Sequence, residues 1–329
     1  MSSALDRISL VIVTWHGDDV LRTCLRSLLA VYSKLPETIV VDNANQPSTR
    51  LLAEEFQGVK YIPCPDNRGF AGGNNAALPF CTKDYLLLLN NDTEFREDSI
   101  SALVEFMDRH PRCGEAQGRT VLGCDPTIAE GCGMMLSGSG LLTYPHDGKK
   151  LEDVLHLKPF PVLGAGGMFL IVRRTALGRL GNKLFHDQFK SYYEDADLGI
   201  RLWLCGYEAW YCPTPPVVHH RNFTSKKLNQ QSVWTQQKAN IWMSMLIAYG
   251  WHGLLRYALL LFILQQGKAL VHLLKGDVQP LRSNLFVIRF VLRNRRYIFS
   301  ERQLLKKNRV LSDHAFFRKM RSLASSISN

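Results

Sequence analysis

The last third of this chain is almost without acidic residues. Of its 29 Asp and Glu, three lie beyond residue 220, against 19 Lys and Arg; the first 220 residues carry 26 acidic and 21 basic side chains. The net charge of +11 therefore belongs to the C-terminal part, and such an asymmetry points to a polyanionic partner: nucleic acid, anionic lipid or a phosphorylated substrate. The eight cysteines include no CxxC pair and no zinc-ligand spacing, which excludes a zinc ribbon or a dithiol redox motif and fits free thiols in a reducing cytosol. The polar lead Met1–Arg7 runs into a short apolar strand without the composition of a cleaved leader. No low-complexity tract is present. With 46% hydrophobic and 21% charged residues, the chain can bury one large core or two smaller ones.

An uninterrupted apolar run of the ~20 residues needed to span a bilayer is also missing. The most apolar stretch, Ile241 to Leu264, is punctuated by Gly250, His252, Gly253 and Arg256. Its interleaved Trp242, Tyr249, Trp251 and Tyr257 suit the headgroup layer. The basic residues that follow, Arg289, Arg293, Arg295, Arg296, Lys306, Lys307 and Arg309, suit an anionic membrane surface. This predicts a helical, monotopic, membrane-associating region over 229–329. Basic charge flanking an aromatic-rich apolar run argues against nucleic acid.

What is present in the first two thirds is an alternation of strands and helices. Ile8–Trp15 is β-branched and continuously apolar, a buried parallel strand. Val20, Leu21, Cys24, Leu25, Leu28 and Leu29 then fall on one helical face, with Asp18 as a cap. Thr38–Asp42, Val59–Ile62 and Tyr85–Leu89 read as further strands, and about 98–110 as a helix. This β-α-β-α order predicts a doubly wound α/β sheet that binds its ligand at the carboxyl ends of its strands. Three of those ends carry Thr14, Asp42 and Asp92. From Arg112 to Pro161, including Ser137–Gly140, no periodicity places a strand. Gly164–Val172 is a strand entered through glycines, Glu194–Cys205 a helix, and Glu208–Cys212 a short strand stopped by Pro213.

Five segments occur in order: Val11-Ile12-Val13-Thr14-Trp15, Val41-Asp42-Asn43, Asn67-Arg68-Gly69-Phe70-Ala71-Gly72-Gly73-Asn74-Asn75, Leu88-Leu89-Asn90-Asn91-Asp92, and Tyr193-Glu194-Asp195-Ala196-Asp197-Leu198 with Arg201. Over about residues 8–225 the chain thereby resembles the family 2 inverting glycosyltransferases of the GT-A fold, in particular their rhamnosyltransferase-like branch. The resemblance implies a GT-A domain over 1–228, with a nucleotide-sugar half to about 111 and an acceptor half after it, followed by the C-terminal extension. It implies that Asp42 accepts from the imide N–H of uracil or thymine, with Thr14 and Trp15 lining that pocket. Trp15-His16 stands where the family usually has Tyr-Asn. The glycine-rich loop would bring Asn67, Arg68, Gly72 and Asn75 to the diphosphate, since helix-start amides bind phosphate, with Asn91 beside it.

By the same resemblance Asp92 would ligate Mg2+ or Mn2+. Asn90 replaces the first carboxylate of the Asp-x-Asp motif, but one or two carboxylates and phosphate oxygens suffice for such an ion. His219 or His220 would complete the metal site, His219 by its spacing after Val217-Val218. Asp195 would be the catalytic base, with Glu194 and Asp197 beside it. A plain alternative is that acids favour the first helical turn. Gly166, Gly167, Tyr193 and Arg201 would meet the acceptor.

The activity so implied is transfer of a sugar, rhamnose from dTDP-rhamnose or else a sugar from a UDP-sugar, to a lipid-linked saccharide or polysaccharide. It would serve cell-envelope glycan synthesis from the cytoplasmic face of a bacterial plasma membrane. Two other readings compete. A sugar-nucleotide nucleotidyltransferase wants a Gly-rich basic loop after the first strand, where this chain has Trp15-His16-Gly17-Asp18. A degenerate, non-catalytic membrane scaffold is suggested by the incomplete metal motif.

Overall fold

The computed structural model describes residues 3–137, 141–221 and 230–327. The composition boundary near 228 and most of the Ser137–Gly140 run lie outside the described residues. The first half runs β1 (Ile8–Thr14), α1 (Asp18–Tyr32), β2 (Glu37–Asp42), α2 (Pro47–Glu54), β3 (Val59–Pro63), α3 (Gly69–Ala77) and β4 (Tyr85–Asn90). Strands lie in the order β3-β2-β1-β4, all parallel. Side chains alternate across them. Leu10, Ile12, Val40 and Leu87 pack with Leu21, Leu25 and Leu28 of α1 on one face, while Val11, Ile39, Val41 and Leu88 enter the core on the other. The chain crosses from β1 to β2 on one side and β4 lies on the other. A crevice therefore opens where β1 and β4 end, at Thr14 and Asn90.

The second half runs β5 (Thr93–Glu94), α4 (Ser99–Arg109), β6 (Cys113–Leu122), β7 (Asp125–Ala129), β8 (Met135–Leu136), β9 (Leu142–Thr143), β10 (Phe160–Val162), β11 (Phe169–Arg173), α5 (Glu194–Leu204) and β12 (Glu208–His219). The sheet continues from β4 through β11, β6, β12 and β10; β11 is antiparallel to both its neighbours, so the doubly wound sheet expected from the sequence is mixed.

Two strands depart from the sequence expectation. β6 is a ten-residue, buried strand in the stretch that shows no periodicity. Its pattern is hidden because Glu115, Gln117 and Arg119 are buried polar residues with dedicated partners: the amides of Ala165 and Gly166 for the first two, Tyr211 and the Val154 carbonyl for Arg119. β12 does not stop at Pro213 but continues to His219. Its prolines fall in the gap between pairing with β10 at Ala209–Tyr211 and with β5 at Val218–His219, where a register shift against β6 occurs and fewer ladder amides are needed.

The C-terminal helices are α6 (Gln230–Ala248), α7 (Trp251–Gly253), α8 (Leu259–Leu274), α9 (Gln279–Arg293), α10 (Arg295–Asn308) and α11 (Asp313–Ile327). They are not a separate core. Met243, Ile247, Ile298, Leu305, Phe316 and Met320 belong to the same hydrophobic cluster as Leu198, Leu202 and Trp203 of α5. The interruption expected within 241–264 is partly absent: Gly250 ends α6, but Trp251–Leu274 is one 24-residue helix, with Gly253 and Arg256 absorbed around a π turn at Leu254–Ala258. It is long and apolar enough to cross a membrane, about 36 Å at 1.5 Å per residue.

Candidate active site

A cleft of about 510 Å3 opens at the β1/β4 switch point. It is lined by Thr14, Trp15 and Asn43 from the ends of β1 and β2, Asn67, Gly69 and Phe70 from the α3 loop, and Asn90, Asn91 and Asp92 after β4. Gly167, Ser191, Tyr192, Glu194 and Asp195 form the opposite wall, with Glu130, His219 and Arg221 at one end. Nine sequence-predicted residues thus meet in one cavity: Thr14, Trp15, Asn67, Asn91, Asp92, Gly167, Glu194, Asp195 and His219.

Sheet register brings Asp92 to His219. β5 follows Asp92 directly and pairs with β12 so that Thr93 faces His219, and the His220 amide donates to the Asp92 carbonyl at 2.9 Å. His219 Nε2 lies 3.2 Å from Asp92 Oδ1 and 3.2 Å from Asn90 Nδ2. Its Nδ1 is 2.8 Å from Glu130 Oε2, and Arg221 Nε holds the other Glu130 oxygen at 2.5 Å. Burial disfavours the imidazolium, but the bonds to Asp92 and Glu130 outweigh it and raise His219 to about 9. His220 is exposed and reaches Glu94 instead, at 3.4 Å. Glu130 and Arg221 went unrecognised in the sequence. Glu130 lies in the stretch without periodicity, and a single buried Glu leaves no motif.

Asp195 begins the α5 helix in the cleft wall. Its Oδ1 accepts from the Ala196 amide at 2.8 Å and its Oδ2 from the Gly167 amide at 3.3 Å. Burial pushes its carboxyl above the ordinary range, against those amides. Burial and then the Asp195 charge push the Glu194 carboxyl well above its own range; its Oε2 has no hydrogen-bond partner among the described residues. Asn91 Nδ2 donates to Thr14 Oγ1 at 2.9 Å and ties the two strand ends together.

The loop before α5 is held in an unusual conformation. Lys190, Tyr192 and Tyr193 have φ of 56°, 73° and 76°, in the left-handed region that costs non-glycine residues ~1–3 kcal/mol each. Asn240 of α6, wholly buried, aims its amide at the carbonyls of Phe189 (2.9 Å), Ser191 (3.2 Å) and Tyr192 (2.7 Å). From the other side, the Ala71 amide donates to the Lys190 carbonyl at 2.8 Å and the Phe70 amide to Ser191 Oγ at 3.1 Å. Gly69 permits this docking: its φ is +68°, and a Cβ there would lie 2.4 Å from the Lys190 oxygen.

Eight of the expected residues do not line the cleft. The first α3 amides serve the 190–191 loop, so the glycine-rich segment is a packing element rather than an open phosphate cradle. Arg68 stays exposed outside the cleft, and a Cβ on Gly72 would strike the Arg68 Cβ at 2.7 Å. Asn75 is bonded to Phe185 and Asp187. Asp42 is wholly buried and off the cleft, because its oxygens accept from the amides of Ala44 and Gln46 and from the Tyr61 hydroxyl, at 2.7–2.9 Å. Asn43, its neighbour, lines the cleft. Gly166 is buried with its amide on Gln117 Oε1 at 2.7 Å. Tyr193 is buried in the core, and Tyr192 faces the cleft in its place. Asp197 and Arg201 form a buried ion pair at 2.6 Å, one turn apart on α5, and Arg201 also donates to the Leu184 carbonyl at 2.7 Å. Burial opposes the Asp197 charge, but Arg201 holds its carboxyl below the usual range, so this pair braces α5 beneath the site.

The fold agrees with known proteins. A glycosyl transferase family 2 model matches residues 9–178. The chain belongs to that family. It is 26% identical over 238 residues to the N-acetylglucosaminyl-diphospho-decaprenol L-rhamnosyltransferase of Mycobacterium tuberculosis, covering 66% of this chain and 76% of that protein. It is 22% identical over 257 residues to the rhamnosyltransferase WbbL of Escherichia coli K12, covering 66% and 86%. Among solved structures, GalNAc-T7 with UDP, GalNAc and Mn2+ superposes with a TM-score of 0.59 at 15% identity, over 73% of this chain. This chain spans about half of that one, 48%, and the likeness establishes the GT-A fold. As a family 2 member, the protein is a glycosyltransferase.

Proposed function

We propose that the protein transfers a sugar, with inversion, from a dTDP- or UDP-sugar to a lipid-linked saccharide in cell-envelope glycan synthesis, with rhamnose as the sugar. The observation that carries the reading is one cleft holding an acidified wall, Glu194–Asp195, opposite an Asp92–His219 pair. The named relatives support the donor and acceptor classes: two are rhamnosyltransferases, and one of their names specifies a diphospho-decaprenol.

The residues fit a divalent cation. Asp92 Oδ1 and His219 Nε2 converge within 3.2 Å, and Glu130 fixes the imidazole from behind. Among the described residues no third His, Cys, Asp or Glu joins them, which leaves positions for water and diphosphate oxygens, as Mg2+ and Mn2+ prefer. Such an ion, when bound, would neutralise charge on the departing diphosphate. Trp15 and Asn43 take the base at the ends of β1 and β2. Asp195 removes the proton from the acceptor hydroxyl as its oxygen bonds to the anomeric carbon. The bond from that carbon to the diphosphate breaks, and the electron pair leaves with the phosphate oxygen. Glu194, with an unpartnered oxygen in the cleft wall, hydrogen-bonds a sugar hydroxyl. The left-handed Tyr192–Tyr193 turn aims both carboxyls into the cleft.

Membrane attachment belongs to the same reading. Trp251, Leu255, Ile263, Leu264, Leu274 and Leu292 are each 57–81% exposed. The three acidic residues of the C-terminal part are engaged internally: Asp277 with His272, Glu301 with Lys183, and Asp313 with Arg309. Its basic excess is left for an anionic, cytoplasmic membrane surface.

The decisive experiment is thermal stabilisation by dTDP-, UDP- and GDP-sugars with Mg2+ or Mn2+. Stabilisation by a pyrimidine nucleotide that requires the metal is expected. No stabilisation by any of them overturns the reading.

A further inference from the structure

A second cavity, of about 230 Å3, lies away from the cleft, between α6, α8 and α9. Trp242 and Leu246, Phe262, and Val287, Ile288 and Val291 make its walls. It opens on the face where Phe262, Ile263, Phe286 and Ile288 are 41–57% exposed. An apolar groove on an apolar surface is suited to a chain, not to a compact polar ligand. One end is different. There Asn284, buried, bonds to Gln266 Oε1 at 3.0 Å and accepts from Lys238 Nζ, while Trp242 Nε1 donates to Gln265 at 3.0 Å. Lys238 is half-buried. Burial and then the neighbouring charge of Lys268 depress its ammonium, and among the described residues neither lysine forms an ion pair with a carboxylate. Lys238, bonded to the groove residue Asn284 and paired with no acid among the described residues, gives the polar end of an apolar groove a cation that complements a lipid phosphate.

We propose that this groove seats the polyisoprenyl chain of the acceptor lipid, with Lys238 and Lys268 on its phosphate. The proposal rests on the lipid-linked acceptor reading above. The position favours the acceptor over a bulk membrane lipid. α6 carries the groove residues Trp242 and Leu246 and also Asn240, which holds the 189–192 loop whose Ser191 and Tyr192 line the cleft, so one helix contacts both the groove and the loop of the site.

The test uses the full chain in detergent micelles, titrated with decaprenyl phosphate, decaprenol, phosphatidylglycerol and inorganic phosphate. Saturable binding of decaprenyl phosphate is expected, weakened at least about 10-fold by Lys238→Gln with Lys268→Gln, and by Ile288→Glu at the groove rim. Decaprenol is expected to bind more weakly than its phosphate. Equal binding of phosphatidylglycerol, or unchanged binding in these variants, overturns the proposal. Binding of a dTDP- or UDP-sugar in the cleft is measured on the same samples. Its retention shows that the variants are folded, and its loss in the unaltered protein marks failure of the transferase reading instead.

Discussion

Replacing Asn240 with alanine tests whether the C-terminal helices shape the catalytic cleft. The Asn240 amide faces three carbonyls at 2.7–3.2 Å, and its two hydrogens satisfy two of them at a time. Alanine would leave those carbonyls buried and unpaired, at ~1–3 kcal/mol each before relaxation. The loop would relieve this by leaving the left-handed geometry at Lys190, Tyr192 and Tyr193, which recovers ~1–3 kcal/mol per residue. Asp195 follows two residues after Tyr193, so the relaxed loop moves the proposed base. A displacement of ~1 Å from the reacting geometry costs about 100-fold in rate. The expected result is a 10- to 100-fold lower kcat, a donor KM changed less than about 3-fold, and a lower Tm. The assay is steady-state transfer or donor hydrolysis beside calorimetry. A lower Tm with kcat unchanged would refute the reasoning, because the clamp would then stabilise the fold without positioning the base.

Three further outcomes follow from the same geometry. Asp195→Asn is expected to lower kcat by about 10²–10⁴ while nucleotide binding, read by calorimetric titration, persists. Because burial raises the Asp195 carboxyl, its ionised form weakens the fold as pH rises through that raised value. The same variant should therefore raise Tm at neutral pH, by about 2–4 °C per kcal/mol recovered, and a lower Tm would count against that sign. Glu130→Gln removes the carboxylate behind His219 and should weaken Mn2+ binding 10- to 100-fold in a metal titration of nucleotide-dependent stabilisation. Arg201→Ala strands Asp197 in the core and should destabilise by about 3–5 kcal/mol in denaturant unfolding, whereas a small effect with lost acceptor affinity would restore Arg201 to the acceptor site.

The first half was legible because β1, β2 and β4 are buried on both faces. Runs such as Leu86–Leu89 carry one signal, apolar throughout, and the intervening helices carry another. The second half was not, because β6 buries Glu115, Gln117 and Arg119 among apolar neighbours. A hydropathy pattern treats a buried, hydrogen-bonded polar side chain like an exposed one. The partners that make burial tolerable, the amides of Ala165 and Gly166 about 50 residues away, exist only after folding.

The same limit explains the site. The motifs named residues that cluster, but not which of them face the cavity. Within Glu194–Asp197 about half a helical turn separates the two directions: Asp195 points to the cleft, while Asp197 points beneath it to Arg201. In Tyr192–Tyr193 the left-handed turn sends one ring to the cleft and the other into the core. Asn67 to Asn75 was legible as a special loop because glycine is required there, yet the requirement comes from the Lys190 carbonyl. That carbonyl belongs to the loop Asn240 also holds, so α3, the α5 loop and α6 are one mechanical unit. A composition shift near residue 228 marks where the surface becomes basic and apolar. The structure around the cleft nonetheless draws on residues beyond it, since the Asn240 amide holds the loop that leads into Asp195.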